Sequence, residues 1–266
     1  ELFKELSRSE NWEIRKAIAS NVDTPQEILE NLSDDDDVDV EDAVTYRELP
    51  KEWRDLEEEE KISKLKDDEN IDFEIINILS KSNNEFLRRT VALCPSTPSE
   101  ILEKFIKDDD NDYVKDSIDF RELPKEWRYL EEEEKINKLK ENEDIDFEIM
   151  KMLSKSTNMF LRIAVAIHPS TKKDILLSLT NDEEWDVKDA IDFRELPKEW
   201  KYLDSYAKVD KLQEVKNIDV NVLKILSKSR DFSIRLAVAE NKLTPINILH
   251  QLQIDDDDDV SEAAKK

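Results

Sequence analysis

The chain contains no glycine in 266 residues. Glycine reaches positive φ without steric cost and lets a backbone approach a bound phosphate closely. Without it there is no phosphate-binding loop of the P-loop or dinucleotide type. The kinase glycine-rich loop and the serine-hydrolase nucleophile elbow are excluded as well. So is the EF-hand calcium loop, which turns on a glycine. Two-residue β-hairpins rely on the same freedom, so a large antiparallel sheet is not expected. Helices, whose interiors have no use for glycine, remain.

A long internal period sets the organisation. Arg-Glu-Leu-Pro-Lys-Glu-Trp occurs at Arg47–Trp53, Arg121–Trp127 and Arg194–Trp200, at spacings of 74 and 73 residues. Leu-Ser-Lys-Ser recurs at 79–82, 153–156 and 226–229 with the same period. The expected architecture is all-α, a right-handed α-solenoid of about 3.5 units in a single repeat domain. The units run approximately 1–72, 73–145, 146–218 and 219–266, the last partial. Each unit is expected to hold about five short helices. In the second unit Phe73, Ile76 and Leu79 lie one turn apart, and Leu87, Val91 and Ala92 form a stripe. Thr97-Pro98-Ser99-Glu100 reads as an N-cap, a first-turn proline and a capping box. Pro124 is expected to open one long charged helix reaching about Lys140, supported by Glu131–Lys135 and Glu134–Lys138 pairs. Helices this short must stack on neighbours to be stable. The chain starts and stops partway into a unit, so a piece of a longer polypeptide is expected, with capping half-units as the alternative.

The residues of this period resemble the leucine-rich repeat variant family, within the HEAT-like helical repeats. The resemblance rests on Leu161-Arg162-Ile163-Ala164-Val165-Ala166-Ile167-His168-Pro169-Ser170-Thr171, then Ile175-Leu176, Leu179, Asp182 and Val187-Lys188. It covers about two-thirds of each unit and implies a right-handed superhelix of short helices. The second basic residue of the family pattern is Lys115 and Lys188 in two copies but Glu41 and Ser261 in the others. The Arg-Glu-Leu-Pro-Lys-Glu-Trp segment lies outside the family pattern. The family's founding member carries a cysteine-ligated iron–sulfur cluster, a property that cannot transfer to a chain with one cysteine. Family resemblance of this kind implies fold and a bias towards binding, not a reaction.

Charge narrows the function. Lys and Arg total 41 against 67 Asp and Glu, a net charge of −26. Direct nucleic-acid binding needs a basic face, so no direct nucleic acid is expected. Cys94, between Leu93 and Pro95, reads as a buried thiol; His168 and His250 read as loop or helix-surface residues. No cofactor, metal or membrane span is expected, and the chain reads as cytoplasmic and non-enzymatic.

Three sets of residues invite a role. Arg15, Arg88, Arg162 and Arg235 form a ladder, expected to pair with loop aspartates and hold adjacent repeats in register. Trp53, Trp127 and Trp200, with Arg47, Arg121 and Arg194, combine the residue types most enriched at binding hot spots and form the expected partner-binding set. The alternative places each Trp in the packing between helices. Acidic clusters at 34–37, 108–110, 182–184 and 255–259 precede helices, where negative charge favours the macrodipole; calcium binding is the sharper alternative. The four-glutamate runs 57–60 and 131–134 read as solvated helix faces. The functional expectation is a scaffold that binds a basic protein partner. The alternatives are a nucleic-acid-binding or DNA-repair HEAT-like solenoid and a passive structural module of a larger protein.

Overall fold

A computed structural model describes residues 1–109, 111–215 and 217–265. Among these residues every regular element is helical, and no residue takes a positive φ. The second fact follows from the absence of glycine and shapes the fold. Many helices close on a residue in the left-handed region, which satisfies the last carbonyls through the Schellman pattern. Here they end in right-handed or extended conformations, as at Asn21, Cys94, His168 and Asn241. Their final carbonyls still need donors, and side chains supply them.

Threonine shows how. Thr24 Oγ1 donates to the Ile18 carbonyl at 2.6 Å, and Thr244 to Val238 at 2.6 Å. Thr97 and Thr171 make the same bond to Val91 and Val165. The N-cap and capping box expected at Thr97 and Glu100 are not formed: the next helix, Ser99–Asp108, has Pro98 at its cap and no side-chain cap bond. Thr97 faces back into the core because a buried carbonyl without a glycine cap is the costlier group to leave unpaired. Capping boxes form instead in the four-glutamate runs, pairing Glu57 with Glu60 and Glu131 with Glu134.

A full copy has six α-helices rather than five. The third copy contains Phe147–Leu153, Met159–Ile167, Lys173–Leu179, Trp185–Asp192, Lys198–Lys201 and Ser205–Glu214, with a 3₁₀ turn at Phe193–Glu195. The expected long charged helix is thus two. In the second copy it breaks between Lys125–Arg128 and Glu132–Glu141. At the break the Leu130 carbonyl accepts from Lys135 Nζ, and Glu131 starts a new capping box.

The chain divides into two compact units, Glu1–Tyr129 and Leu130–Lys266. The sequence period signals no boundary there. In the first unit Trp12–Ser20 packs on Val38–Tyr46, and Glu58–Asp67 packs on Glu85–Leu93, which packs on Asp112–Phe120. In the second, Glu132–Glu141 packs on Met159–Ile167, which packs on Trp185–Asp192; Ser205–Glu214, Phe232–Glu240 and Asp258–Ala263 repeat the order. The charged helix of one copy therefore covers the second helix of the next. The apolar stripe Leu87, Val91 and Ala92 is fully buried by this stacking, which is where short helices gain their stability.

Candidate functional site

The repeated heptapeptide is built into the core. Pro50, Pro124 and Pro197 stand at the caps of the four-residue helices that follow them, with φ already suited to the turn. Each helix then turns its tryptophan inward. Trp53, Trp127 and Trp200 are only 4, 4 and 5% exposed. Trp53 packs with Leu49, Leu65 and Ile75 in one cluster; Trp200 packs with Leu196, Leu212 and Val222 in another. Lysines cover the rings: Lys64 Nζ stands 4.4 Å from Trp53 and Lys211 Nζ 4.6 Å from Trp200. Such rings offer no surface to a partner. The reading of the three tryptophans as partner-contacting residues is corrected to core packing.

The heptapeptide arginines are also turned inward to backbone. Arg47 Nη2 donates to the Val22 carbonyl at 2.9 Å and Arg121 Nη2 to Pro95 at 2.8 Å. Arg194 reaches Thr171 and Pro169 at 3.3 and 3.2 Å. Cations at these carbonyls also complement the negative end of the preceding helix. Each of these guanidiniums is thus directed at a loop carbonyl of its own copy.

Every ladder arginine meets an aspartate. Arg15 forks onto Asp35 at 2.8 and 2.7 Å, Arg162 onto Asp182 at 2.7 and 3.0 Å, and Arg235 onto Asp255 at 2.8 and 2.8 Å. Arg88 Nε donates to Asp109 at 2.7 Å. The remaining Nη1 of Arg15, Arg88, Arg162 and Arg235 takes the carbonyl of Ser9, Ser82, Ser156 and Ser229. The Arg15 and Arg235 guanidiniums hold Asp35 and Asp255 below the usual carboxylate range by hydrogen bonding. Each fork closes within one copy, so it does not link adjacent repeats as expected. Asp110, in the second acidic cluster, lies outside the described residues.

The links between copies come from residues that sequence reasoning passed over. Buried Asp42 accepts from Ser82 Oγ at 2.7 Å, from the Asn83 amide at 2.8 Å and from the Tyr46 hydroxyl at 2.9 Å. Asp189 accepts from Ser229 Oγ, from the Arg230 amide at 2.9 Å and from Arg230 Nη1 at 2.7 Å. This explains the last serine of the repeated Leu-Ser-Lys-Ser. The constant 40-residue spacing from aspartate to serine was the available signal.

A second overlooked set is Lys61, Lys135 and Lys208, which are 3, 2 and 3% exposed. Each ammonium donates to a leucine carbonyl five residues back: Leu56, Leu130 and Leu203. Lysine is almost never this buried unless partnered. Burial lowers the Lys208 pKa to about 8, opposed by Asp204, Asp186 and Asp189, and pushes Lys61 in the same direction. Nothing but its periodicity marked this lysine among the many charges of its helix.

His168 lies in the loop after Met159–Ile167, as expected, but its ring is buried. Nε2 lies 2.6 Å from the Asn142 carbonyl and Nδ1 accepts the Ser170 amide at 3.1 Å, which fits a neutral ring protonated on Nε2. Burial lowers its pKa. Cys94 is buried, its Sγ 3.2 Å from Ser96 Oγ. Among the described residues no cluster of three or more His, Cys, Asp or Glu is arranged to hold a metal. No helix among them is long and apolar enough to cross a membrane.

A cavity stands at the same place in copies one and three, beside the buried lysine, the one in copy three also walled by Glu133, Ile136 and Lys140 of the preceding copy and by Asp231 of the following one. The first is about 290 Å³, lined by Lys16, Asp39, Asp42, Arg54, Asp55 and Glu58 among others. The other is about 640 Å³, lined by Phe160, Ile163, Trp185, Tyr202 and Tyr206 with Asp186, Asp204 and Asp231. Equivalent positions are 147 residues apart. The frame is kept: Asp39 corresponds to Asp186, Leu56 to Leu203 and Lys61 to Lys208. The wall is changed: Glu13 becomes Phe160, Lys16 becomes Ile163, Val38 becomes Trp185, Asp55 becomes Tyr202 and Glu59 becomes Tyr206.

Neither a family model nor a curated protein matches this sequence.

Proposed function

We propose that this protein is a non-enzymatic α-solenoid of the leucine-rich repeat variant type that recognises a basic partner protein. The observation that carries the reading is where the charges go. The net charge is −26, and the arginines that recur with the period are taken up by aspartates and carbonyls of their own copy. The excess carboxylate is left to the surface. A strongly one-signed surface attracts the opposite charge over long range and speeds encounter. The repeating order of helix packing within each unit supports the solenoid form, whose stacked repeats present an extended face. The cytoplasmic setting belongs to the same proposal.

Affinity capture on the intact chain, at low and at high salt, tests it. The expected result is enrichment of one or a few basic proteins at low salt, confirmed with the purified partner, and their release as salt rises. Capture indifferent to partner charge, or specific retention of nucleic acid by the chain alone, overturns it.

A further inference from the structure

In nearly identical repeats, a position that departs in one copy only has been released from the common structural demand. Three positions of the cavity wall depart in this way among the full copies, Ile163, Trp185 and Tyr206, in each case to an apolar or aromatic residue, while Phe160 and Tyr202 recur in the second copy as Phe86 and Tyr129. The core does not require them. Phe160 is 61% exposed and Tyr206 is 77% exposed, so neither ring is placed there to be buried in the folded chain. Trp185 is also partly open. Large exposed aromatics gathered on one concavity mark a binding site rather than chance surface.

The charge at the cavity identifies what it accepts. Asp186 and Asp231 line it together with Asp204. Burial, then repulsion from Asp189 and Asp231, raises the Asp186 pKa, so a cation brought beside it would favour its ionised form. The lysines of the wall are already engaged. Lys208 is tied to the Leu203 carbonyl and lies 4.9 Å from the Phe193 ring; Lys140 and Lys201 lie 5.9 and 5.4 Å from the Tyr202 ring. Cations on aromatic faces are thus the way this cavity is built, and Phe160 and Tyr206 stand exposed at its mouth.

We propose that the cavity of the third copy is the docking point of a basic peptide segment. One lysine or arginine side chain of that segment lies along Phe160 and Tyr206, with its charge toward Asp186 and Asp231. This deepens the basic-partner reading and rests on it. The volume suits a side chain with its neighbouring residue, being well above what one alkylammonium chain fills. The first copy, with charged residues at the equivalent positions, does not share the site.

The test uses the full chain and an array of fluorescein-labelled decapeptides in which lysine or arginine is combined with leucine or tyrosine. Matched arrays carry glutamine or glutamate in place of the cation. Binding is followed by anisotropy on the wild type, on Phe160→Ala, on Tyr206→Glu and on Ile254→Ala. Tyr206→Glu restores the acidic residue type of the first copy, which the repeat accommodates at Glu59. Ile254 is an exposed apolar residue away from the cavity. The expected result is preference for the cationic peptides, weakened about tenfold or more by Phe160→Ala and Tyr206→Glu and unchanged by Ile254→Ala. Cationic peptides that bind all four proteins equally overturn the cavity assignment and leave the basic-partner reading standing. Absence of any cationic preference overturns both. Glutamine peptides that bind as tightly, and are lost in the same variants, overturn the cationic occupant. Displacement of the peptide by an equal concentration of spermidine reassigns the cavity to a small polyamine and overturns the peptide.

Discussion

Positions 61 and 208 carry the same buried lysine, each donating to a leucine carbonyl five residues back and each 4.9 Å from an aromatic ring. The surroundings differ. In the first copy the ring is Tyr46, whose hydroxyl joins Asp42 and Ser82 in a neutral–ionic network. In the third copy the ring is Phe193, and Asp189 takes the Arg230 guanidinium instead. The first copy's cavity is narrow and charged, closed in part by the Lys16–Asp39 pair at 3.4 Å. The third copy's is wide and aromatic. Two sets of positions behave differently under repetition. The lysine that satisfies the leucine carbonyl and the serine that satisfies the aspartate stay, because an unpaired buried group costs more than most substitutions gain, while the further donor to the aspartate changes from Tyr46 to Arg230. Those on the wall vary, because water can satisfy whatever is placed there. A recurrent scaffold can in this way specialise one copy without disturbing its neighbours.

The largest effect that tests the common frame comes from its tryptophans. Trp53→Ala and Trp200→Ala should each cost about 3–5 kcal/mol, as truncation of a buried large aromatic does. Denaturant unfolding measures both, and the two losses should be similar. A loss below about 1 kcal/mol in either copy would break the comparison at its base.

Next comes the link between copies. Asp42→Ala and Asp189→Ala each leave a serine hydroxyl and a backbone amide without their acceptor. Each should destabilise by about 2–4 kcal/mol. Asp42→Ala should be the larger, because it takes an acceptor from the buried Tyr46 hydroxyl, whereas the Arg230 guanidinium that loses Asp189 is half exposed and keeps Asp192 at 3.6 Å. Equal losses in equilibrium unfolding would show that the tyrosine network adds nothing to the first copy.

The smallest effect is a pH dependence that sharpens the difference between the two lysines. Burial brings the Lys208 pKa to about 8 in the folded chain, against about 10.4 when unfolded. Between those values the unfolded chain holds the proton that the folded chain releases, so stability rises with pH across this window. Below it the cost of the buried ammonium is borne in full. Unfolding curves from neutral to alkaline pH should show this gain in the wild type relative to Lys208→Met. The corresponding difference for Lys61→Met should be smaller, because burial, the leading cause at both lysines, lowers Lys61 less than it lowers Lys208. A gain at Lys61 as large as at Lys208 would remove the electrostatic distinction between the copies.

Much of this is legible in the residues alone. Absent glycine and a 73–74-residue period left helices as the only economical answer. The arginine ladder and its aspartates sit 20 or 21 residues apart in all four instances, close enough in the chain for spacing alone to suggest the pair. Harder to see was the direction in which a side chain spends its hydrogen bond. Thr97 stands where an N-cap belongs, yet it turns back to Val91, and the lysine of a charged helix turns inward while its neighbours stay in water.

The candidate site divides along the same line. Tryptophan and arginine in a repeated heptapeptide have the composition of a hot spot, and composition is all that a sequence displays. Burial depends on which faces meet across copies, and residues identical in every copy carry no contrast to reveal it. The cavity was hidden for the opposite reason. Phe160, Trp185, Tyr202 and Tyr206 are scattered over 47 positions of the third copy, and only the packing of Met159–Ile167 and Trp185–Asp192 beside the break before Ser205–Glu214 gathers them. Local spacing determines helices, ends and near pairs because those interactions act within a few turns. Burial and enclosure belong to the tertiary structure because they are made by surfaces distant in the chain, and their free energy exists only once those surfaces have met.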